Sequence, residues 1–560
     1  MPALRSIVKR LRVKEAITTC FSEDAYLSVR RFGLILDSKI RSSEVAYKQS
    51  ALNRSEPAKH RQLPKSQGLR WTDILPIIPS TAYNYNYLLI TNILSESAIR
   101  WWEVKGINAG RLIIGVSEAD REDTLKSLAQ FAEVTNKPLY AMNAQGKNPQ
   151  IAMNRIDEIP DLAEVAVLRC VSPRRSMADG RKYGFAYGVD VEFWKLPEND
   201  GPDALVVAPR ENSASRIMSN DDFKLVETNF DDHATLVPAV FQKSFLEEID
   251  FEIDAVYTWV DGDDANWQEE RLRLQAEVSG SEFHPEAVHA ARFRSRDELK
   301  YSLRSIQYFA PWFRNIYIVT ADQVPKWLDT NHPKIKVISH REIFHENDLP
   351  TFNSNAIISR LHHIPGLTEH FVYINDDVLF GMPVTKQQFF TSGGIARVSP
   401  SNNRRPFGEA AAGDGPHFNL TKNIRFLLER EFGKTISRAI KHTPHPMIKS
   451  LHFEMEEKFP EAYQNTWSSK FRHHTDIVAD QLHHYYAQLV GKAVPGDLSY
   501  NYINILDNQY SSVLKETLAN KNRQAFCIND APVEGATPIN EDEIEYFFES
   551  YFPVKSEFEK

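Results

Sequence analysis

From Ile253 onward, short apolar runs end abruptly in polar or acidic residues, and this pattern constrains the fold more than any other feature of the chain. Ile253–Val260 runs into Asp261-Gly262-Asp263-Asp264, Asn315–Thr320 into Ala321-Asp322, Ile335–Ile338 into Ser339-His340, and His370–Ile374 into Asn375-Asp376-Asp377. Short, mostly apolar runs of this length suit strands buried on both faces. Between the first two, Leu299, Leu303, Ile306 and Ala310 fall on one face of a helix predicted over 297–309. Strands alternating with helices predict an α/β fold with a mainly parallel sheet and helices on both faces. Ligands of such sheets bind beyond the carboxyl ends of the strands, which is where these carboxylates gather.

A smaller α/β domain is predicted over 71–245. Arg111–Val116 reads as a strand, Ser117 and Asp120 start a helix whose Leu125, Leu128, Phe131 and Ala132 share a face, and Pro138–Met142 resumes extended structure. No constellation of catalytic residues stands out there, so a substrate-positioning or interaction role is expected. Residues 1–70 form a basic segment and linker, with 15 Lys and Arg against 6 Asp and Glu in a chain of net charge −9. Residues 250–532 carry the catalytic pattern, and 533–560 read as an acidic C-terminal tail. Leu4, Ile7, Val8 and Leu11 recur at helical spacing among basic residues, so residues 1–20 suit peripheral contact with an anionic membrane; a solvated helix or tail is the plainer reading. The acidic body lacks the basic field that draws proteins to nucleic acid. Cys20, Cys170 and Cys527 show no disulfide or metal-finger spacing, and no segment nears the roughly 20 apolar residues of a membrane span. A cytoplasmic location is expected, peripheral at the inner face of the cell membrane if the basic segment binds there.

Adjacent carboxylates at a strand end raise each other's pKa unless a cation intervenes, so Asp376-Asp377 invites a hard divalent ion, Mg²⁺ or Mn²⁺. The plain alternative is an Asx turn with solvated side chains. At Asp261-Gly262, glycine permits close backbone approach and the carboxylate could accept from a base or ribose; an ordinary turn would look the same. Seven of the 18 histidines fall between 442 and 484. His442 and His445 have HxxH-type spacing. Pro444 and Pro446 suggest a loop entering a helix, which would seat His445 at a helix N-terminus, where the dipole keeps the imidazole neutral and able to act as a base. An N-terminal cap is the modest reading. Arg472 offers a fork that matches phosphate oxygens, against an ordinary Arg472–Asp476 surface pair. His483 and His484 are expected to pack or face solvent rather than ligate metal.

The runs IDAVYTWVDGDD (253–264), RFRSRDELKYSLRSIQYFAPWFRNIYIVT (292–320) and LPTFNSNAIISRLHHIPGLTEHFVYINDDVLFG (349–381) resemble the first blocks of the Stealth family. HTPHPMIKSLHFEMEEKFP (442–460), FRHHTDI (471–477) and FCINDAP (526–532) resemble the later ones. These are bacterial capsular and exopolysaccharide phosphotransferases, related to the lysosomal-targeting N-acetylglucosamine-1-phosphotransferase. The resemblance implies a GT-A-like nucleotide-sugar core and transfer of a sugar 1-phosphate from a nucleotide-diphosphate sugar, with a UDP-sugar the expected donor, to a hydroxyl of an acceptor glycan. By motif, Asp376 and Asp377 would form the metal site with Asn375 on the diphosphate, and His445, Arg472 and Asp377 would be catalytic. Thr258, Trp259, Asp261, Gly262, Arg294, Ser354 and Asn355 would lie on the substrate side. Ser295, Arg296, Lys300 and Ile358 depart from the family's usual pattern. A conventional GT-A glycosyltransferase releasing a nucleoside diphosphate, and a catalytically silent polysaccharide-assembly protein, remain open alternatives on the sequence, with a zinc hydrolase more distant.

Overall fold

The computed structural model describes residues 69–560 except 75–76, 108–109, 146–150, 154–164, 199–203, 231–232, 279–292, 412–413, 415 and 532–537. The membrane contact read over residues 1–20, and the basic segment and linker as far as residue 68, lie outside the described residues. Among the described residues no helix is long and apolar enough to cross a membrane.

The first layer follows helix α1 (Pro79–Glu96) and is built from β1 (Trp101–Glu103), β2 (Ile113–Ser117), β3 (Tyr140–Asn143), β4 (Ile151–Ala152), β5 (Val167–Val171) and β6 (Val189–Trp194), in the order β1-β2-β6-β5-β3-β4. Only β2 and β6 run parallel; the other pairings are antiparallel. The Ser117 hydroxyl accepts from the Ala119 amide and caps a short 3-10 turn (Glu118–Asp120) that leads into helix α2 (Arg121–Thr135), which buries Thr124, Leu128 and Ala132. Ile90, Ile114, Val116, Leu168 and Val191 complete this core. The strand–helix–strand expectation for residues 111–142 therefore holds, within a mixed sheet.

The second layer carries the predicted parallel pattern. Strands β7 (Ile253–Thr258), β8 (Ile316–Thr320), β9 (Ile335–Ser339), β10 (His370–Asn375) and β12 (His445–Ile448) order as β9-β8-β7-β10-β12. The first four are parallel, and β12 closes the edge antiparallel to β10. Helix α3 (Glu298–Phe309) buries Leu299, Leu303 and Ile306, as its 3.6-residue periodicity predicts. Helix α4 (Lys449–Lys458) follows β12, and α5 (Ala479–Leu489) packs near it, where the Ile448 amide donates to His483 Nε2 at 3.0 Å.

A second, three-stranded sheet joins β11 (Val378–Phe380), β14 (Ala525–Asn529) and β13 (Tyr500–Asn504) in the order β11-β14-β13. Because β11 follows Asp377 directly, its pairing of Val378 with Cys527 brings the C-terminal strand against the acidic end of β10. Of the segment read as an acidic tail, the described residues 538–560 form no tail: most of their apolar side chains are packed into the core. Helix α6 (Glu541–Tyr551) stacks Phe548 on Tyr301 with ring centroids 4.6 Å apart, and Phe547, Tyr551, Phe552 and Phe558 are buried. Buried Arg304 pairs with Glu559 at 2.8 Å and donates to the Phe552 carbonyl at 2.7 Å. Acidic residues dominate the segment's composition, but its apolar residues recur at helical spacing, and that stripe decides where it lies.

Candidate active site

Sheet register builds the site. Thr258, the last residue of β7, lies opposite Asn375, the last of β10, so the turns that follow the two strands start side by side. One strand further on, Tyr373 of β10 faces His445 of β12, and the two rings stack with centroids 6.3 Å apart. The Tyr373 hydroxyl in turn meets Thr258 Oγ1 at 3.1 Å. Thr258, Asn375 and His445 thus share one end of the sheet.

Three carboxylates crowd this end. Burial, then the neighbouring charges of Asp377 and Glu298, push the Asp376 carboxyl well above the ordinary carboxylate range. Glu298, at the start of α3, is itself pushed up to about 7, chiefly by burial. Asp377 goes the other way. Burial alone would raise it, but its Oδ1 faces His442 Nε2 at 3.4 Å, and its Oδ2 accepts from Asn529 Nδ2 at 2.8 Å and from the Cys527 thiol at 3.2 Å, so its pKa falls. His442, opposed by burial but held by the Asp377 charge, is raised. Asp376, Asp377 and Glu298 form an oxygen-rich set whose repulsion a hard cation would relieve, so Asp376 and Asp377 fit Mg²⁺ or Mn²⁺. The donor set Asp377, His442 and Cys527 is also compact enough for an ion. Its thiol, however, is held protonated by burial and by Asp377, which makes it a poor ligand beside the carboxylates.

His445 differs from its expected setting. It opens strand β12, and the helix begins only at Lys449, so no helix dipole acts on it. It is neutral for another reason: burial, helped by the charge of His442, lowers its pKa to about 3. Its Nδ1 lies 2.8 Å from His484 Nε2, and its Nε2 lies 3.7 Å from Asp480 Oδ2. Burial raises the Asp480 carboxyl to about 6. The HxxH pair does not converge on one point: His442 turns to Asp377 and His445 to His484. His483 and His484 are both buried, so the solvent-facing option for them is overturned.

Arg472 donates to the Ser354 hydroxyl at 2.6 Å. Its charge reaches both His442 and Asp480. Asp476, the surface partner weighed for it above, is buried and accepts from Asn353 Nδ2 at 2.8 Å, Asn355 Nδ2 at 3.2 Å and the His473 amide at 2.9 Å. Asn355 therefore braces the loop that carries Arg472.

The remaining expected substrate residues have local partners. Trp259 packs against the core and its amide donates to the Val319 carbonyl. Asp261 Oδ1 accepts from the Asp263 amide at 3.0 Å, an Asx turn, while its backbone is clasped by Gln323 on both sides. Asp264 caps the next helix through the Asn266 and Trp267 amides. Arg294 sits 3.8 Å from Glu541 and is half-exposed. Arg296, one of the departures from the family pattern, reaches Glu541 at 2.6 Å and Asp530 at 3.4 Å.

Gly262 is required by close approach: a Cβ there would lie 1.8 Å from the Phe293 carbonyl oxygen. Gly262→Ala is expected to cost about 1–3 kcal/mol by overpacking. Thermal unfolding measures this, and an unchanged midpoint would contradict it.

The sequence gives no site role to Glu298, Asp480 or Asn529, and it assigns His484 and Cys527 none beyond packing and free-thiol readings. The period-two alternation of FCIND does put Cys527 and Asn529 on one strand face, a usable signal. No local pattern marks Asp480, whose importance comes from facing His445 across two elements.

The chain matches the four conserved regions of Stealth proteins in order: Stealth protein CR1, conserved region 1, over residues 251–275; CR2, conserved region 2, over 292–398; CR3, conserved region 3, over 441–489; and CR4, conserved region 4, over 515–560. It is 39% identical over 454 residues to an exopolysaccharide phosphotransferase of Streptomyces coelicolor, covering 80% of this chain and 48% of that protein, so it spans about half that relative's length. A second exopolysaccharide phosphotransferase of that organism is 37% identical, covering 85% and 82%. Exopolysaccharide phosphotransferase CpsY of Mycobacterium tuberculosis is 32% identical, covering 86% and 90%. Among solved structures, galactosyltransferase LgtC with donor and acceptor sugar analogues is 10% identical, covering 55% of this chain and 98% of that chain at a TM-score of 0.28, too low to build on.

Proposed function

Since this chain belongs to the Stealth family, we propose that it is a phosphotransferase of exopolysaccharide synthesis that moves a sugar 1-phosphate from a nucleotide-diphosphate sugar to a hydroxyl of an acceptor glycan. The observation that carries this reading is the pairing of Tyr373 with His445, which sets a neutral imidazole beside the strand that ends in Asn375-Asp376-Asp377. A base next to a cation-ready carboxylate pair is what transfer of a charged group to a hydroxyl requires.

In this reading the α/β core acts as a GT-A-like nucleotide-sugar fold, with a UDP-sugar the expected donor. Asp376 and Asp377 would hold Mg²⁺ or Mn²⁺, which when bound neutralises charge on the donor diphosphate. Thr258, Trp259, Asp261 and Gly262 flank the donor side, and Asn375 approaches the diphosphate. His445 Nε2 takes the proton of the acceptor hydroxyl. The hydroxyl oxygen bonds to the sugar-bearing phosphorus, the bond from that phosphorus to the bridging oxygen breaks, and the electron pair leaves with the nucleoside monophosphate. Arg472, aimed by Ser354, supports negative charge on the transferring group. Asp377, held by the charge and hydrogen bond of His442 and then by Asn529 and Cys527, keeps its ionised form.

Incubation with a panel of nucleotide sugars, Mg²⁺ and glycan acceptors tests the reaction. Nucleoside monophosphate together with a new phosphodiester phosphorus signal is expected, and EDTA should abolish both. Release of a nucleoside diphosphate would replace this reading by ordinary glycosyl transfer.

A further inference from the structure

Beside the acidic end of β10 stands an aromatic ring that the proposed chemistry leaves unused. Tyr502 of β13 is 46% exposed, and its hydroxyl donates to Asn529 Oδ1 at 3.0 Å. Asn529 Nδ2 in turn donates to Asp377 Oδ2 at 2.8 Å. In the register of the C-terminal sheet Tyr502 lies opposite Cys527, whose thiol donates to the same Asp377 oxygen at 3.2 Å. Residues paired across neighbouring strands share a face, so the ring stands on the face that meets Asp377. Burial of the hydroxyl, then Cys527, Asp377 and Asp530, raise its pKa, so the phenol stays protonated.

The ring is pinned and open at once. Its polar end is held by Asn529, while much of its apolar surface stays in water and contributes little to the core. An aromatic side chain fixed in this way offers a ligand apolar area at low entropic cost. Asp530, just past the end of β14, has a side chain 20% exposed, and Arg296 Nη1 reaches it at 3.4 Å. Arg296 is one of the positions at which the chain departs from the family's usual pattern. An aromatic face beside a carboxylate and a guanidinium matches the chemistry of a sugar ring, whose C–H groups lie on the aromatic and whose hydroxyls bond to the polar pair.

The sheet decides which part of the donor reaches this corner. Strand β10 lies between β7 and β12, so Thr258 and His445 flank it on opposite sides. In-line displacement puts the attacking hydroxyl and the leaving nucleotide on opposite sides of the phosphorus, which matches a base on β12 and a nucleotide side on β7. The sugar, attached to the same phosphorus, then projects sideways. The wall on that third side is the C-terminal sheet: β11 follows Asp377 directly, pairs with β14, and its Val378 carbonyl accepts from the Ser302 hydroxyl of α3 at 2.7 Å.

We propose that Tyr502 is the platform on which the sugar ring of the donor lies, with the Asp530–Arg296 pair taking its hydroxyls, so that this corner of the C-terminal sheet selects the sugar. The inference rests on the proposed phosphotransfer from a nucleotide sugar. Tyr502→Ala and Tyr502→Phe in the full chain test it, by displacement of a fluorescent nucleotide probe with two competitors: the nucleotide sugar that the donor panel selects, and its parent nucleoside diphosphate. Tyr502→Ala should weaken binding of the nucleotide sugar about tenfold and leave the nucleoside diphosphate unchanged. Tyr502→Phe, which keeps the ring and loses only the bond to Asn529, should bind both as the unsubstituted chain does. Circular dichroism checks folding; should Tyr502→Ala fail to fold, Tyr502→Leu, which keeps bulk without a flat face, must show the same sugar-selective loss. Equal weakening of both competitors would put the ring on the nucleoside, and no weakening of either would leave Tyr502 a brace for Asn529. A loss in Tyr502→Phe as large as in Tyr502→Ala would assign the effect to the hydroxyl. Each of these three results overturns the platform and leaves the phosphotransfer reading standing. An unsubstituted chain that binds none of the nucleotide sugars overturns both.

Discussion

Replacing His445 with alanine is expected to lower kcat by about 10²–10⁴-fold while leaving the donor KM nearly unchanged, the signature of a lost proton acceptor rather than a lost binding contact. The imidazole lies 3% exposed between Tyr373, His484 and Asp480. Its neutrality comes from burial, so the imidazole should stay unprotonated across the whole neutral range. The folded-state pKa is depressed below that of a free histidine, and the unfolded chain therefore binds the extra proton first. This histidine's contribution to stability is lost as pH falls below about 6.5 and carries none of the pH dependence above it. Because alanine also strips His484 of its partner, His445→Gln is the companion variant: it approximates the volume and offers hydrogen bonds but no base. Steady-state kinetics with circular dichroism on both decides the matter. Turnover by His445→Gln close to that of the unsubstituted chain would remove His445 as the base.

Arg472→Ala is the second large effect, an expected fall of about 10³–10⁵-fold in kcat, the range for an arginine that stabilises charge on a transferring phosphoryl group. The guanidinium hydrogen-bonds Ser354, and that bond fixes its direction. A lysine at this position keeps the charge but loses the planar fork, so Arg472→Lys should recover only a minor part of the loss. Donor binding, read by displacement of a nucleotide probe, should weaken far less than turnover. Equal losses in binding and kcat would make Arg472 a ground-state anchor.

The two residues illustrate how much was legible in the chain. Strand β10 and its acidic end follow from an apolar run that stops at Asn375, and α3 follows from the spacing of Leu299, Leu303 and Ile306. The sequence marks His445, but its physical setting differs from the helix N-terminus that the sequence predicts. The prolines around it suggested a loop before a helix, whereas the backbone of 445–448 pairs with β10 as an edge strand. An edge strand tolerates Pro446 because one of its sides makes no ladder hydrogen bonds. The tail expected over 533–560 fails for a similar reason. Its acidic side chains dominated the composition, while the buried stripe of Ile544, Phe547, Phe548 and Tyr551 docks the helix onto α3.

What the sequence determined by itself was local: periodicity, strand ends and the residue types able to bind a cation, a phosphate or a proton, because each depends on neighbours within a few positions. Only the tertiary structure decided which of these groups act on one another. Asp377 is held ionised first by His442, 65 residues away, and then by Asn529 and Cys527, 152 and 150 residues away, and His445 on its strand is set against Asp480 and His484 of α5. Protonation and orientation are set by burial and by the nearest few ångströms of charge, and that proximity is created by sheet pairing across the whole chain.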